Sequence, residues 1–169
     1  PLAAGVIDDL QAAAGGNVSI LGVFGGCEYV SSTTGATIFS NQWPGSGADS
    51  TFPVKAFVYD DPNQLFTVAT SNVVAGADTE AEVRAAVFAN IAFATGNSGS
   101  TATGISSATA DLNTIATTNT LALRIMGVQD DPDNADFTAA GIPLIVRINN
   151  HFNAPTGSIA AGTVSTTGV

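Results

Sequence analysis

Apolar and polar positions along the chain fall into short runs punctuated by Gly, Asp, Asn and Pro, the pattern of a chain built mostly from strands. Residues 18–24 (VSILGVF) form a compact run with β-branched members, closed by Gly25-Gly26, and predict a strand. Further short strands are expected at 28–30 and 36–39, with 31–35 as the turn between them. Residues 41–50 (NQWPGSGADS) read as a loop, with Trp43 before Pro44 as an anchor folding it back onto the body. Residues 52–59 and 64–69 read as strand, turn, strand around Asp60-Asp61-Pro62-Asn63, and whether the two pair as a hairpin depends on the loop geometry.

Residues 77–94 hold the one helical candidate. Thr79 suits the N-cap, Glu80 and Glu82 lie where the helix dipole favours acids, and Val83, Ala86, Val87 and Ile91 share a stripe. The same residues also allow a short helical turn followed by a strand through 88–93. Residues 97–107 are rich in Gly, Ser and Thr and read as a turn; 108–115, 120–128 and 142–149 read as strands. In the last two, Leu121, Leu123 and Ile125 alternate with Ala122, Arg124 and Met126, and Leu144, Val146 and Ile148 with Ile145, Arg147 and Asn149. Arg124 and Arg147 are therefore expected on a mixed face opposite a clean apolar one. The expectation is a mainly β chain with one short helix: a small antiparallel barrel or sandwich-like body over 1–152 and a C-terminal arm over 153–169.

Composition narrows what such a body does. The chain has 169 residues, 4 Lys or Arg against 14 Asp or Glu, a net charge of -10, and 11% charged residues, where about 25% is usual. Lys55, Arg84, Arg124 and Arg147 are its only cations, which argues against binding nucleic-acid phosphates or an anionic membrane. A surface of Ser, Thr and Asn costs little charge desolvation when covered, and suits a protein attached to a large partner or secreted. No apolar stretch is long enough for a membrane-spanning helix, and residues 1–10 show no signal-peptide pattern.

Candidate chemistry is sparse. Cys27 is the only cysteine and His151 the only histidine, and Cys27 reads as a small buried residue rather than a nucleophile. No nucleophile elbow, phosphate loop or His-Glu-x-x-His motif is present, so no enzymatic activity and no cofactor are expected. Asp130, Asp131, Asp133 and Asp136 form an acidic cluster of the kind hard cations such as calcium favour, but without the glycine and distal glutamate of an EF-hand; turn formation by Asp-Pro and Asn is the competing account. Arg124 and Arg147 are expected to pair with strand-end carboxylates such as Asp60, Asp61, Asp130 or Asp131, or else to face a partner subunit.

Five blocks in order, 20–29 (ILGVFGGCEY), 39–44 (FSNQWP), 56–66 (AFVYDDPNQLF), 123–134 (LRIMGVQDDPDN) and 144–151 (LIVRINNH), together resemble the capsid-stabilising (cement or decoration) head proteins of podovirus-like marine tailed bacteriophages. In that family Pro1-Leu2 would continue a Gly-Asp-Pro strand start, which implies preceding residues absent from this chain. The chain departs from the family in its longer, Ala-rich 77–90 segment and in the tail beyond His151. The resemblance implies a non-enzymatic protein on the outer surface of a virion head. There it would bind the major capsid protein, bridge neighbouring subunits and leave room for a symmetric oligomer of its own, away from the packaged genome. Candidate contacts are the Trp43 loop, the face carrying Arg124 and Arg147, and the arm ending at Val169. Another virion module, such as a fibre base or tail component, and a secreted glycan-binding domain using Trp43 or Tyr59 are the alternatives.

Overall fold

The computed structural model describes residues 20–95, 100, 105–130, 132 and 136–154. Strands β1 (Val23–Val30), β2 (Thr37–Ser40) and β3 (Lys55–Tyr59) form a small antiparallel sheet in the order β2-β1-β3. Strands β4 (Leu65–Ala69), β5 (Asn90–Phe93), β6 (Ala110–Ala116), β7 (Leu123–Val128) and β8 (Pro143–Ile148) form a larger antiparallel sheet in the order β4-β8-β7-β5-β6. One short helix, α1 (Glu80–Ala85), precedes β5. The fold is mainly β, as the pattern predicts, and neither sheet closes into a barrel.

The larger sheet carries the core. Ile91, Leu123, Ile125, Leu144, Val146 and Ile148 are buried on one face, with Val83 of α1 and Ile142 packed among them. The alternation in β8 runs unbroken. In β7 a bulge between Ile125 and Gly127 shifts the register by one residue, so that Val128 pairs with Leu144 and turns inward where simple alternation would place Gly127. The sheet curls until its two edges meet at one corner. There Thr70 and Ala110 form a parallel bridge, the Ser71 N–H donates to the Ala110 carbonyl at 2.8 Å, and Asn72 holds both Asp111 and the Leu112 N–H. Among the described residues contact between the two edges is confined to that corner, and the sheet does not close into a barrel.

Several elements differ from expectation for identifiable reasons. Of the expected 18–24 strand, residues 18 and 19 lie outside the described residues and 20–22 belong to no strand; β1 begins at Val23 and runs through both glycines to Val30, absorbing the expected 28–30 strand, with a bulge between Phe24 and Gly26. Gly26 has φ 136, which a side chain rarely adopts, so the glycine bends the strand rather than stopping it. The 52–59 and 64–69 runs do not form a hairpin. The Asp60–Gln64 turn, closed by Asp61 accepting from the Asn63 N–H, passes the chain from one sheet to the other. The long 77–94 helix is not formed; helix then strand is the outcome, because α1 stops at Ala86 and Phe88 reverses the chain into β5. Thr79 does cap α1, accepting from the Glu82 N–H.

The two sheets are tied where the chain before β1 meets the end of β8. The Ile20 N–H donates to the Asn150 carbonyl and the Phe152 N–H to the Ile20 carbonyl, both at 2.9 Å. The expected arm lies outside the described residues apart from its first two.

Candidate functional site

Two surfaces stand out, one on each sheet. In β3 the alternation Lys55, Phe57, Tyr59 against Ala56, Val58 puts the large rings on one face. Register carries Phe39 of β2 and Val23 and Gly26 of β1 to the same face, with a Lys55–Glu28 pair at 3.3 Å among them. Among the described residues nothing covers these rings: Phe39 is 70% exposed, Tyr59 62% and Phe57 48%. No residue of β1–β3 belongs to the buried core cluster. Between Phe39 and Phe57 lies a trough of about 330 Å³, lined also by Gly25, Gly26, Cys27, Ser40 and Asn41. Two of the lining glycines leave no room for a side chain: a Cβ on Gly25 would stand 2.8 Å from the Tyr59 ring and one on Gly26 2.9 Å from the Ser40 carbonyl oxygen.

Trp43 belongs to this end of the molecule. It meets Phe24 edge-on at 6.4 Å and holds its loop against the sheet as anticipated, yet remains 56% exposed. Cys27 is buried, its thiol donating to the Gln42 carbonyl, and burial pushes it above the ordinary thiol range, which is the setting of an unreactive cysteine. His151 is buried beyond β8, where its Nδ1 accepts from the Asn153 N–H. Cys27 and His151 are each engaged elsewhere and share no hydrogen bond.

The second surface is the outer face of the larger sheet. Arg124 of β7 and Arg147 of β8 are direct cross-strand partners. One row of residues crosses the whole sheet here: Leu65, Arg147, Arg124, Asn90, Ala116. The mixed face anticipated for the two arginines is therefore real, but among the described residues, which include Asp60, Asp61 and Asp130 and not Asp131, the expected pairing with strand-end carboxylates is not made. Asp130 is taken by Arg84, at 2.6 Å, and Arg84 also holds Glu80 at 2.7 Å. Among the described residues neither Arg124 nor Arg147 has a carboxylate partner, and the buried Nε of Arg124 has no acceptor. The Arg124 guanidinium instead lies 5.9 Å from the centre of the Phe88 ring.

Of the acidic cluster, Asp136 behaves as a turn former, accepting from both the N–H and the hydroxyl of Thr138, which holds its carboxyl below the usual range. Asp131 and Asp133 lie outside the described residues, as does Val169. Among the described residues no three His, Cys, Asp or Glu side chains gather as metal ligands would.

Sequence reading missed the exposed face of the small sheet and the Phe88 ring. The first was legible in the parity of residues 55–59, where both rings fall on the side of Lys55. The second had no local signal, since Phe is a poor candidate for a left-handed backbone. Comparison of the chain with family models, with curated proteins and with solved structures gives no match in any of the three.

Proposed function

We propose that the protein is a non-enzymatic structural module of a virion, a decoration or cement protein that lies on the outer surface of a shell of major capsid subunits and bridges neighbours. The exposed aromatic face of the small sheet carries this reading. A three-stranded sheet with one face of Phe39, Phe57 and Tyr59 and no core of its own gains by being covered. A partner surface that buries those rings also desolvates little charge, because only the Glu28–Lys55 pair interrupts them. Repetition by shell symmetry turns a modest contact into a firm attachment.

Electron microscopy of particles bearing the protein tests the proposal. The expected result is density at regular sites between capsomers, with the small sheet against the shell. Density confined to a vertex or the tail, or none on particles, overturns it. A Phe39→Ser, Phe57→Ser double variant is expected to bind heads assembled without the protein at least about tenfold more weakly. Unchanged binding by a folded variant would move the contact away from the aromatic face.

A further inference from the structure

The geometry points to a second recognition site, independent of the shell reading: the Arg124–Arg147 pair is a receptor for a carboxylate carried on an apolar segment of a partner protein. Four observations converge. Like charges on directly opposed residues of a sheet repel each other, yet half of this chain's four cations occupy such a pair. Neither is neutralised within the described residues, although the chain carries 14 acids and Arg84 alone engages two of them. The pair thus forms a local positive centre on a molecule of net charge -10.

A sheltered donor is also left over. The Nε–H of Arg124 is buried without an acceptor, so the guanidinium is incompletely hydrogen-bonded within the molecule; a ligand carboxylate would meet its outer nitrogens, since the Nε itself has no free surface. Its cross-strand partner Asn90 is buried with its Nδ2 bound to the Thr118 carbonyl, while its Oδ1, like the Arg124 Nε, has no partner.

Phe88 is held where it is needed. It adopts φ 73, a strained conformation for a bulky residue, and is fixed there by its N–H donating to the Ile125 carbonyl at 2.8 Å. Phe88 is 61% exposed, and its ring lies against the Arg124 guanidinium, while the row itself runs on from Arg124 to Asn90 and Ala116. Leu65, 47% exposed, stands at the Arg147 end. The face thus sets two cations one strand spacing apart, about 4.8 Å, with Leu65 beside Arg147 and the Phe88 ring against the Arg124 guanidinium. That spacing suits an acidic side chain set between apolar neighbours in an extended peptide, with the two guanidiniums sharing its carboxylate. A phosphorylated nucleic acid is a poorer fit, because only two cations are present and the surrounding charge is negative.

The test exploits the rarity of arginine. The chain has three arginines, so three Nε–H resonances report on the whole question, with Arg84 as the internal control. The protein is titrated at low salt with a blocked Leu-Glu-Leu-Gly peptide, its Leu-Gln-Leu-Gly analogue, and inorganic phosphate. The glutamate peptide is expected to shift the Arg124 and Arg147 signals saturably, with a dissociation constant of about 1 mM or tighter, and to leave Arg84 unmoved. Arg124→Gln and Arg147→Gln are each expected to weaken it at least about tenfold. Arg147→Glu, which gives Arg124 an internal partner, is expected to abolish it. The proposal is overturned by the absence of a saturable shift, by an equal response to the glutamine peptide, or by an equal response at Arg84. Phosphate binding as tightly as the peptide would overturn the peptide assignment and leave only a free-oxyanion site.

Discussion

Phe88 sits in the left-handed region at φ 73, where an L-residue costs about 1–2 kcal/mol. Glycine would relieve that cost. It would also forfeit the contact between the Phe88 ring and Arg124, worth about 0.5–1 kcal/mol, and add about 0.5–1 kcal/mol of backbone entropy to the unfolded chain. The three contributions nearly cancel, so Phe88→Gly is expected to unfold in urea within about 0.5 kcal/mol of the parent. Phe88→Ala keeps the strain and loses the ring, and is expected to be less stable by about 0.5–1 kcal/mol. Phe88→Val adds β-branching to a left-handed backbone and is expected to fall by about 2 kcal/mol. Valine tolerated as well as glycine would mean that the backbone at 88 is not held at positive φ. The strain is local and would serve nothing in a bare sheet; it gains a purpose if the ring borders a binding row.

At the scale of elements, the corner where the edges of the larger sheet meet depends on Asn72. Its Oδ1 accepts from the Leu112 N–H at 3.0 Å, and its Nδ2 donates to Asp111 at 2.9 Å. Asn72→Ala strands the sheltered Leu112 N–H within β6 and removes a charge-assisted bond, for an expected loss of about 2 kcal/mol. Hydrogen exchange supplies the sharper check: the Leu112 amide should exchange much faster in the variant, whereas protection equal to the parent's would show that the corner does not rest on this side chain. This is also where the sequence stops being legible. Strand positions follow from residue types, since runs such as 123–128 and 143–148 alternate visibly, and the shared face of Arg124 and Arg147 follows from the same parity. Which strands pair is a long-range matter that parity does not touch, so β3 and β4 look like a hairpin and belong to different sheets. Bulges at Gly26 and in β7 change register by one residue, and only the paired strand reveals them. That Arg124 faces Arg147 itself, rather than a neighbour two residues away, is set by β7–β8 register, and the candidate row was therefore only half visible beforehand.

For the molecule as a whole, electrostatics opposes compactness. With 14 acids against 4 bases, and three described ion pairs that are all at least partly exposed, self-repulsion exceeds what those pairs return. Salt should therefore stabilise the protein. Raising sodium chloride from low to roughly half-molar at neutral pH shortens the screening length to under about 5 Å and is expected to raise the melting temperature by about 2–4 °C, the equivalent of about 1 kcal/mol for a chain of this size. Acid acts in the other direction once repulsion is screened. Asp49, Glu82 and Asp136 are held below their ordinary values, chiefly by hydrogen bonds from Thr51, Thr79 and Thr138 respectively. Such carboxyls bind fewer protons folded than unfolded. Their contribution is present above the unfolded-state values near pH 4 and is lost as pH falls through the lower folded values. At high salt the melting temperature should thus hold from pH 7 to about 5 and decline below about 4. Thr138→Ala should flatten part of that decline, because it removes the main bond depressing Asp136. A melting temperature that drops on adding salt at neutral pH would show that attractive pairs, and not repulsion, dominate the surface. The same screening would weaken a carboxylate bound at Arg124 and Arg147, so salt should move stability and binding in opposite directions in one preparation.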